Sequence, residues 1–131
     1  MKSDLPLRTI DANFNRFQEG IRVVEDILRY EYNSPLAKEL KNIRHIRLPH
    51  YDEIIQKRDS VNDILKSSTK SEQNREDLKD IIIANLKRAQ QSARVLEEIY
   101  KISDKKVSEN FKNARYLLYN YEKEILVLMG I

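Results

Sequence analysis

Residues 11–26, DANFNRFQEGIRVVED, and residues 83–98, IANLKRAQQSARVLEE, superpose at an offset of 72 with seven of sixteen positions identical. Five of the seven identities are polar or charged: two Arg, one Asn, one Gln and one Glu. A second match follows the first, LAKELKNIR at 36–44 against VSENFKNAR at 107–115, now at an offset of 71. One residue has been lost in the turn between the two segments. A unit that occurs twice, made of two periodic segments joined by a turn, restricts the chain to a duplicated architecture. Both segments have helical periodicity, so the unit is read as an αα-hairpin. Two of them predict an all-α fold, a four-helix bundle-like domain with approximate internal two-fold symmetry.

The rest of the sequence is consistent with helices. Gly20 and Gly130 are the only glycines, and with three prolines they leave too few turn residues for a sheet protein. The same scarcity excludes a Walker A loop or a GxGxxG fingerprint. Any bound phosphate has to be held by Arg and Lys side chains or by helix N-termini. Without cysteine there is neither a disulfide nor a thiolate zinc site. The 24 Lys plus Arg against 21 Asp plus Glu describe a solvated, nearly balanced surface and give no ground for a nucleic-acid partner. No segment approaches the run of about 20 apolar residues that spans a bilayer, and MKSDLPLRTI lacks a signal-peptide core. A single cytoplasmic domain without membrane contact is expected.

The repeats divide the chain into about 11–48, a connecting loop of about 49–70, and about 71–128. Ser34-Pro35 supplies a cap followed by proline in the first turn, and Ser103-Asp104 does the same job in the second repeat. Thr69 and Glu72 form a capping box ahead of the third long helix. Pro49 should end or kink the second helix, beyond which YDEIIQKR is still compatible with a helix. DSVNDILKSSTKS is the least regular stretch and reads as a surface loop of the kind that carries function.

On a helical wheel of about 100° per residue, Phe14, Phe17, Ile21, Val24, Ile27 and Leu28 gather around Asn13. Leu86, Ala89, Leu96, Ile99 and Tyr100 gather around Asn85. Gln18, Arg22, Glu25 and Asp26 fall opposite, as do Gln90, Arg94, Glu97 and Glu98. These polar sets have two readings. One is an exposed salt-bridged stripe worth a few tenths of a kcal/mol per pair. The other takes the persistence of Arg, in a chain that uses Lys freely, as a sign of bidentate binding to carboxylate or phosphate.

Asn13 and Asn85 sit within the apolar stripe, where an amide without partners costs about 1–3 kcal/mol. With Arg16 and Arg88 one turn on, and Gly20 and Ser92 two turns on, they describe one of two things. Either donors line a gap between helices, or two helices cross closely and each Asn bonds to backbone. Arg44 and Arg115, with Lys41 and Lys112, read first as solvated cations. His45 and His50 have no metal or acid–base pattern around them. The tyrosines and ILVLMG of 116–130 read as core or as a homodimer contact.

DANFNRFQEGIRVVEDILR, LKNIRH, RDSVND and ANLKRAQQSARVLEE together resemble a specific family. It is the small helical domain that precedes thiamin-phosphate synthase in one polypeptide in many bacteria, and that also occurs alone. The resemblance spans roughly residues 8–124. It implies a hydroxymethylpyrimidine-phosphate kinase of the second, non-ribokinase type. Such an enzyme converts 4-amino-5-hydroxymethyl-2-methylpyrimidine phosphate and ATP, with Mg²⁺, to the pyrimidine diphosphate, and thiamin-phosphate synthase is its implied partner. The synthase itself is a (β/α)8 barrel of about 200 residues or more, which this chain is too short and too glycine-poor to form.

Phosphoryl transfer asks for a metal, cations and alignment. Candidate metal carboxylates are Asp59, Asp63, Glu25 and Glu97. Arg16, Arg22, Arg88 and Arg94 are the candidate catalytic cations, and replacing Arg88 and Arg94 by Ala is expected to abolish activity. Asn13, Asn85, Gln18, Gln90, Arg58, Arg44 and Arg115 are candidates for binding substrate and nucleotide. Two matching sets facing one axis can hold two phosphorylated ligands; equally, the duplication can be a relic with one repeat active. One departure stands out. The family loop tends to read Arg-Asp-Thr and then Asp-Val-Gly-Thr, and here it reads Arg58-Asp59-Ser60 and Asp63-Ile64-Leu65-Lys66. Leu65 replaces a glycine. Two other readings remain beside the kinase, a non-catalytic ligand-binding or regulatory module and a plain helical oligomerisation domain.

Overall fold

The computed structural model describes residues 5–131, apart from the side chain of Ser71. Its helices are α1 (Leu7–Tyr30), α2 (Leu36–Arg44), α3 (Tyr51–Ile55), α4 (Lys70–Gln73), α5 (Leu78–Tyr100) and α6 (Lys105–Leu128), with no strand among the described residues. The all-α expectation holds. So does the pairing: α2 packs on α1, α6 packs on α5, and α1 and α5 form the main contact between the two hairpins. A smaller contact joins α2 to α6, and α3 lies on α1.

Local signals explain most of the boundaries. Asn33 takes a left-handed φ of 49° in the first hairpin turn, a conformation that Asn tolerates better than most residues. The Ser34 hydroxyl then accepts the Leu36 N–H at 3.2 Å. Asp104 caps α6 by accepting from Val107 N–H at 3.1 Å. The Thr69–Glu72 capping box is present, but it closes the single turn of α4. The third long helix starts only at Leu78, beneath an Asp77 cap that accepts from Asp80 N–H. In the first repeat the second helix ends at Arg44, and Pro49 and the left-handed His50 then redirect the chain into α3.

The predicted apolar stripes of the two long helices form much of the core, which α2, α3 and α6 complete. Ile10, Phe17, Ile21, Val24 and Leu28 of α1 are fully buried, as are Ile82, Leu86, Ala89 and Leu96 of α5. Phe17 meets Phe111 of α6 edge to face, with ring centroids 5.4 Å apart. At Gly20 the two long helices come so close that an added Cβ would lie 2.8 Å from the Asn85 carbonyl oxygen. The small residue predicted as the mark of a close crossing is therefore one. Among the described residues no helix is long and apolar enough to cross a membrane.

Candidate functional site

The repeated polar residues divide into internal braces and surface groups. Glu25, only 4% exposed, receives Arg44 Nε on Oε1 at 2.7 Å and Arg44 Nη2 on Oε2 at 3.2 Å. Glu97, 3% exposed, receives Arg115 Nε and Nη2 on Oε1 at 3.2 and 2.8 Å. Each hairpin is thus clamped by the same ion pair. The carboxylate hydrogen bond raises the Arg44 pKa above its ordinary value. Asn13 and Asn85 act in parallel too, donating to the carbonyls of Thr9 (2.9 Å) and Ile81 (2.8 Å) one turn back.

These contacts correct the exposed-stripe reading. Glu25, Gln90 and Glu97 are buried, and Arg44 and Arg115 are not solvated. Each long helix packs against two or more neighbours, so its buried arc is wider than the apolar stripe and includes the face opposite. Arg22 and Arg94 do lie outside, on Asp26 at 3.2 Å and on Glu97 and Glu98 at 3.1 and 3.0 Å.

Five of the candidate residues meet in a cleft of about 370 Å³ along the N-terminal half of α1. Its opposite wall is the start of the connecting loop. Arg58 grips Asp11 with two bonds, Nε to Oδ2 and Nη2 to Oδ1, both 2.8 Å. Asp11, and then the Tyr51 hydroxyl, raise the Arg58 pKa. Arg8 ties the loop down a second time through the Asp59 carbonyl at 2.9 Å. The Asp59 carboxylate accepts from the Asn62 side chain (2.8 Å) and backbone N–H (3.1 Å), which hold its pKa below the ordinary carboxylate value. Asp63 accepts from Leu65 N–H at 2.9 Å. Among the described residues no hydrogen bond or ion pair engages Arg16, which stands exposed on the cleft wall.

Leu65 fits this loop without strain. Among the described residues Asn33 and His50 are the non-glycine residues with positive φ, so the backbone conformation at position 65 does not require glycine, and Leu65 is 77% exposed.

Of the sequence candidates, the cleft gathers Asn13, Arg16, Arg58, Asp59 and Asp63. Gln18, Arg22, Glu25 and Arg44 lie further along the first hairpin. Asn85, Arg88, Gln90, Arg94, Glu97 and Arg115 lie on the second. Glu25 and Glu97 are engaged by guanidinium, and no group of three or more His, Asp or Glu able to hold a metal occurs among the described residues. Sequence reasoning missed Arg8, Asp11, Asn15 and Ser60. Asp11 had a signal: its counterpart at offset 72 is Ile83, so the repeat breaks where the cleft begins. A larger cavity of about 630 Å³ is lined chiefly by Leu5, Leu7, Ile54, Tyr100 and Ile102 and has no comparable set of charges.

Fold and site define a duplicated all-α hairpin protein with a charge-lined cleft on its first repeat. Within that class the chain belongs to the ThiD2 family, whose profile matches residues 8–124. It is 37% identical over 122 residues to a thiamine-phosphate synthase of Synechocystis sp., covering 91% of this chain and 36% of that protein. It is 35% identical over 131 residues to a thiamine-phosphate synthase of Rhodopirellula baltica, covering 95% and 35%. The chain thus spans about a third of the length of the curated relatives it matches. No solved structure matches it.

Proposed function

We propose that this chain acts in thiamin biosynthesis as a kinase that phosphorylates 4-amino-5-hydroxymethyl-2-methylpyrimidine phosphate from ATP, and that the α1 cleft is its phosphoryl-transfer site. The observation that carries the reading is Arg16, a guanidinium without a protein partner among the described residues, in a cleft that also holds Asp59 and Asp63. Family membership and relatives named for thiamin-phosphate synthesis support the pathway.

In the proposed reaction an oxygen of the acceptor's phosphate attacks the γ-phosphorus of ATP, the bond from that phosphorus to the β–γ bridging oxygen breaks, and ADP leaves. A phosphate monoester has its second pKa near about 6, so the attacking oxygen is already anionic at neutral pH and no general base is required. Arg16 faces the transferring group and offsets its charge. Arg58 and Arg8 hold the loop so that its carboxylates line the cleft. Mg²⁺ commonly uses one or two carboxylates together with substrate phosphates and water, a requirement that Asp59 and Asp63 fit. When bound with the nucleotide it would neutralise phosphate charge. Glu25, Glu97, Arg44 and Arg115 have structural work in this reading, and the exposed Arg22, Arg88 and Arg94 do not line the cleft.

Phosphorus NMR on the purified protein with the pyrimidine phosphate and MgATP tests the proposal, with the unphosphorylated alcohol as control. A pyrimidine diphosphate formed from the phosphate alone is the expected result. Ligand binding without product, in a helical protein, would replace the kinase by a binding module.

A further inference from the structure

One turn beyond the cleft, α1 enters a second cavity of about 400 Å³, with Phe14, Gln18 and Tyr51 among its walls and His45–Leu48 along its floor. The two spaces are lined by interleaved and successive residues of α1. Asp11, Phe14 and Gln18 follow one another along one side of α1, and Tyr51, a wall of this cavity, also helps to raise the pKa of Arg58 in the charged cleft. From Asp11 to Gln18 the helix rises about 10 Å, close to the span of a small ring and a phosphate on its side arm.

Three observations set the chemistry of an occupant. Phe14 and Tyr51 meet at 64° with ring centroids 6.4 Å apart, forming an aromatic corner of which Tyr51 is 40% exposed. Gln18 commits one N–H to the Arg44 carbonyl at 3.2 Å, which has no helical partner because α2 ends there. Its other N–H and its carbonyl oxygen remain, an adjacent donor and acceptor. That pair matches the edge of a ring with an amino group beside a ring nitrogen, which offers an acceptor next to a donor. The second repeat lacks the aromatic corner: Leu86 and Glu122 stand where the first has Phe14 and Tyr51, and Glu122 accepts from the buried Gln90 at 2.8 Å.

We infer that this cavity is a subsite for a planar aminopyrimidine-type ring, stacked in the Phe14–Tyr51 corner and read at its amino edge by Gln18. The inference rests on the reading of the neighbouring cleft as the phosphate site. Two rings of the proposed reaction carry that edge, the acceptor's 4-aminopyrimidine and the adenine of ATP. The experiment separates them.

The full chain and its Gln18→Met variant are titrated by NMR with four uncharged probes: 4-amino-5-hydroxymethyl-2-methylpyrimidine, its 4-oxo congener, adenosine and inosine. Magnesium pyrophosphate is titrated separately as the probe of the cleft. The unsubstituted protein should prefer an amino ring over its oxo partner by about tenfold, the size of one or two hydrogen bonds. Gln18→Met should remove that preference and leave pyrophosphate binding unchanged. Loss of the preference within the free pyrimidine pair assigns the subsite to the acceptor; loss within the nucleoside pair assigns it to the nucleotide. Should Gln18→Met fail to fold, Gln18→Glu removes both amide donors at nearly constant size and should remove the same preference. Preferences that survive both substitutions overturn the inference. Pyrophosphate that fails to bind the unsubstituted protein overturns the phosphate reading of the cleft instead, and the uncharged probes report on the ring subsite regardless.

Discussion

The two repeats share their sequence pattern and their brace but not their surface. In the second, α6 runs on from Arg115 to Leu128, and Glu122 bridges both Lys87 and Gln90 of α5 at 3.2 and 2.8 Å. In the first, α2 stops at Arg44 and the chain turns away at Pro49 and His50. The equivalent stretch of α1 is then flanked by α3 and a loop, pinned through Asp11–Arg58 and Arg8–Asp59. The same hairpin is thus sealed in one repeat and opened in the other, and the opened one exposes a guanidinium beside carboxylates. Duplication supplies a stable frame, and shortening one helix supplies the space.

If the repeats have divided their roles in this way, Arg16 and its counterpart Arg88 should behave differently. Arg16→Ala is expected to lower turnover on the order of 10²–10³-fold, the usual effect of losing one transition-state donor, while Arg88→Ala leaves it unchanged. Both side chains are exposed, so neither variant should alter the melting temperature. An equal loss in steady-state kinetics would show that the repeats share the chemistry.

The braces should instead behave alike. Glu25→Ala and Glu97→Ala each strand a mostly buried guanidinium, and each is expected to cost about 3 kcal/mol in urea unfolding. Removing Arg44 together with Glu25 should restore part of that loss, because no buried charge is then left alone. A cost confined to one repeat would break the equivalence.

The helix crossing gives a third contrast. Gly20→Ala drives a methyl group toward the Asn85 carbonyl and should cost about 1–3 kcal/mol through displaced backbone. Ser92→Ala, at a position that already carries a Cβ, should cost less than about 1 kcal/mol.

The smallest expected effect concerns pH. The folded Asp59 pKa lies below its unfolded value, so the stabilisation of the loop is complete above the ordinary Asp value of about 4 and is lost as pH falls through the lowered one. Hydrogen exchange of the 58–66 amides should therefore show protection that is constant from neutral pH to that point and declines below it. In Asp59→Asn the decline should disappear.

Much of the fold was legible because its signals are local. Periodicity marked the four main segments and Asp104 lay where a cap was expected, whereas the second helix ended at Arg44, ahead of the break expected at Pro49. The Thr69–Glu72 box misled in one respect: a capping box signals that a helix begins without indicating its length, and four residues later α4 had ended. About half of the site could be read. RDSVND placed Arg58, Asp59 and Asp63 in a functional loop, and the repeat singled out Asn13 and Arg16. Asp11 lies outside the pattern that the repeats share, and the cleft depends on where they differ.

By itself the sequence determined the helical class, the duplication and the residue types available for chemistry, since these follow from spacing along one chain. Only the tertiary structure decided that Glu25 belongs to Arg44 and Glu97 to Arg115, and that Asp11 holds Arg58 across 47 positions. Such partners depend on how helices roll against two neighbours at once and on where α2 ends. A wheel drawn for a single helix shows an apolar face and its opposite, but the opposite face turns from water to interior as soon as a second helix lies along it.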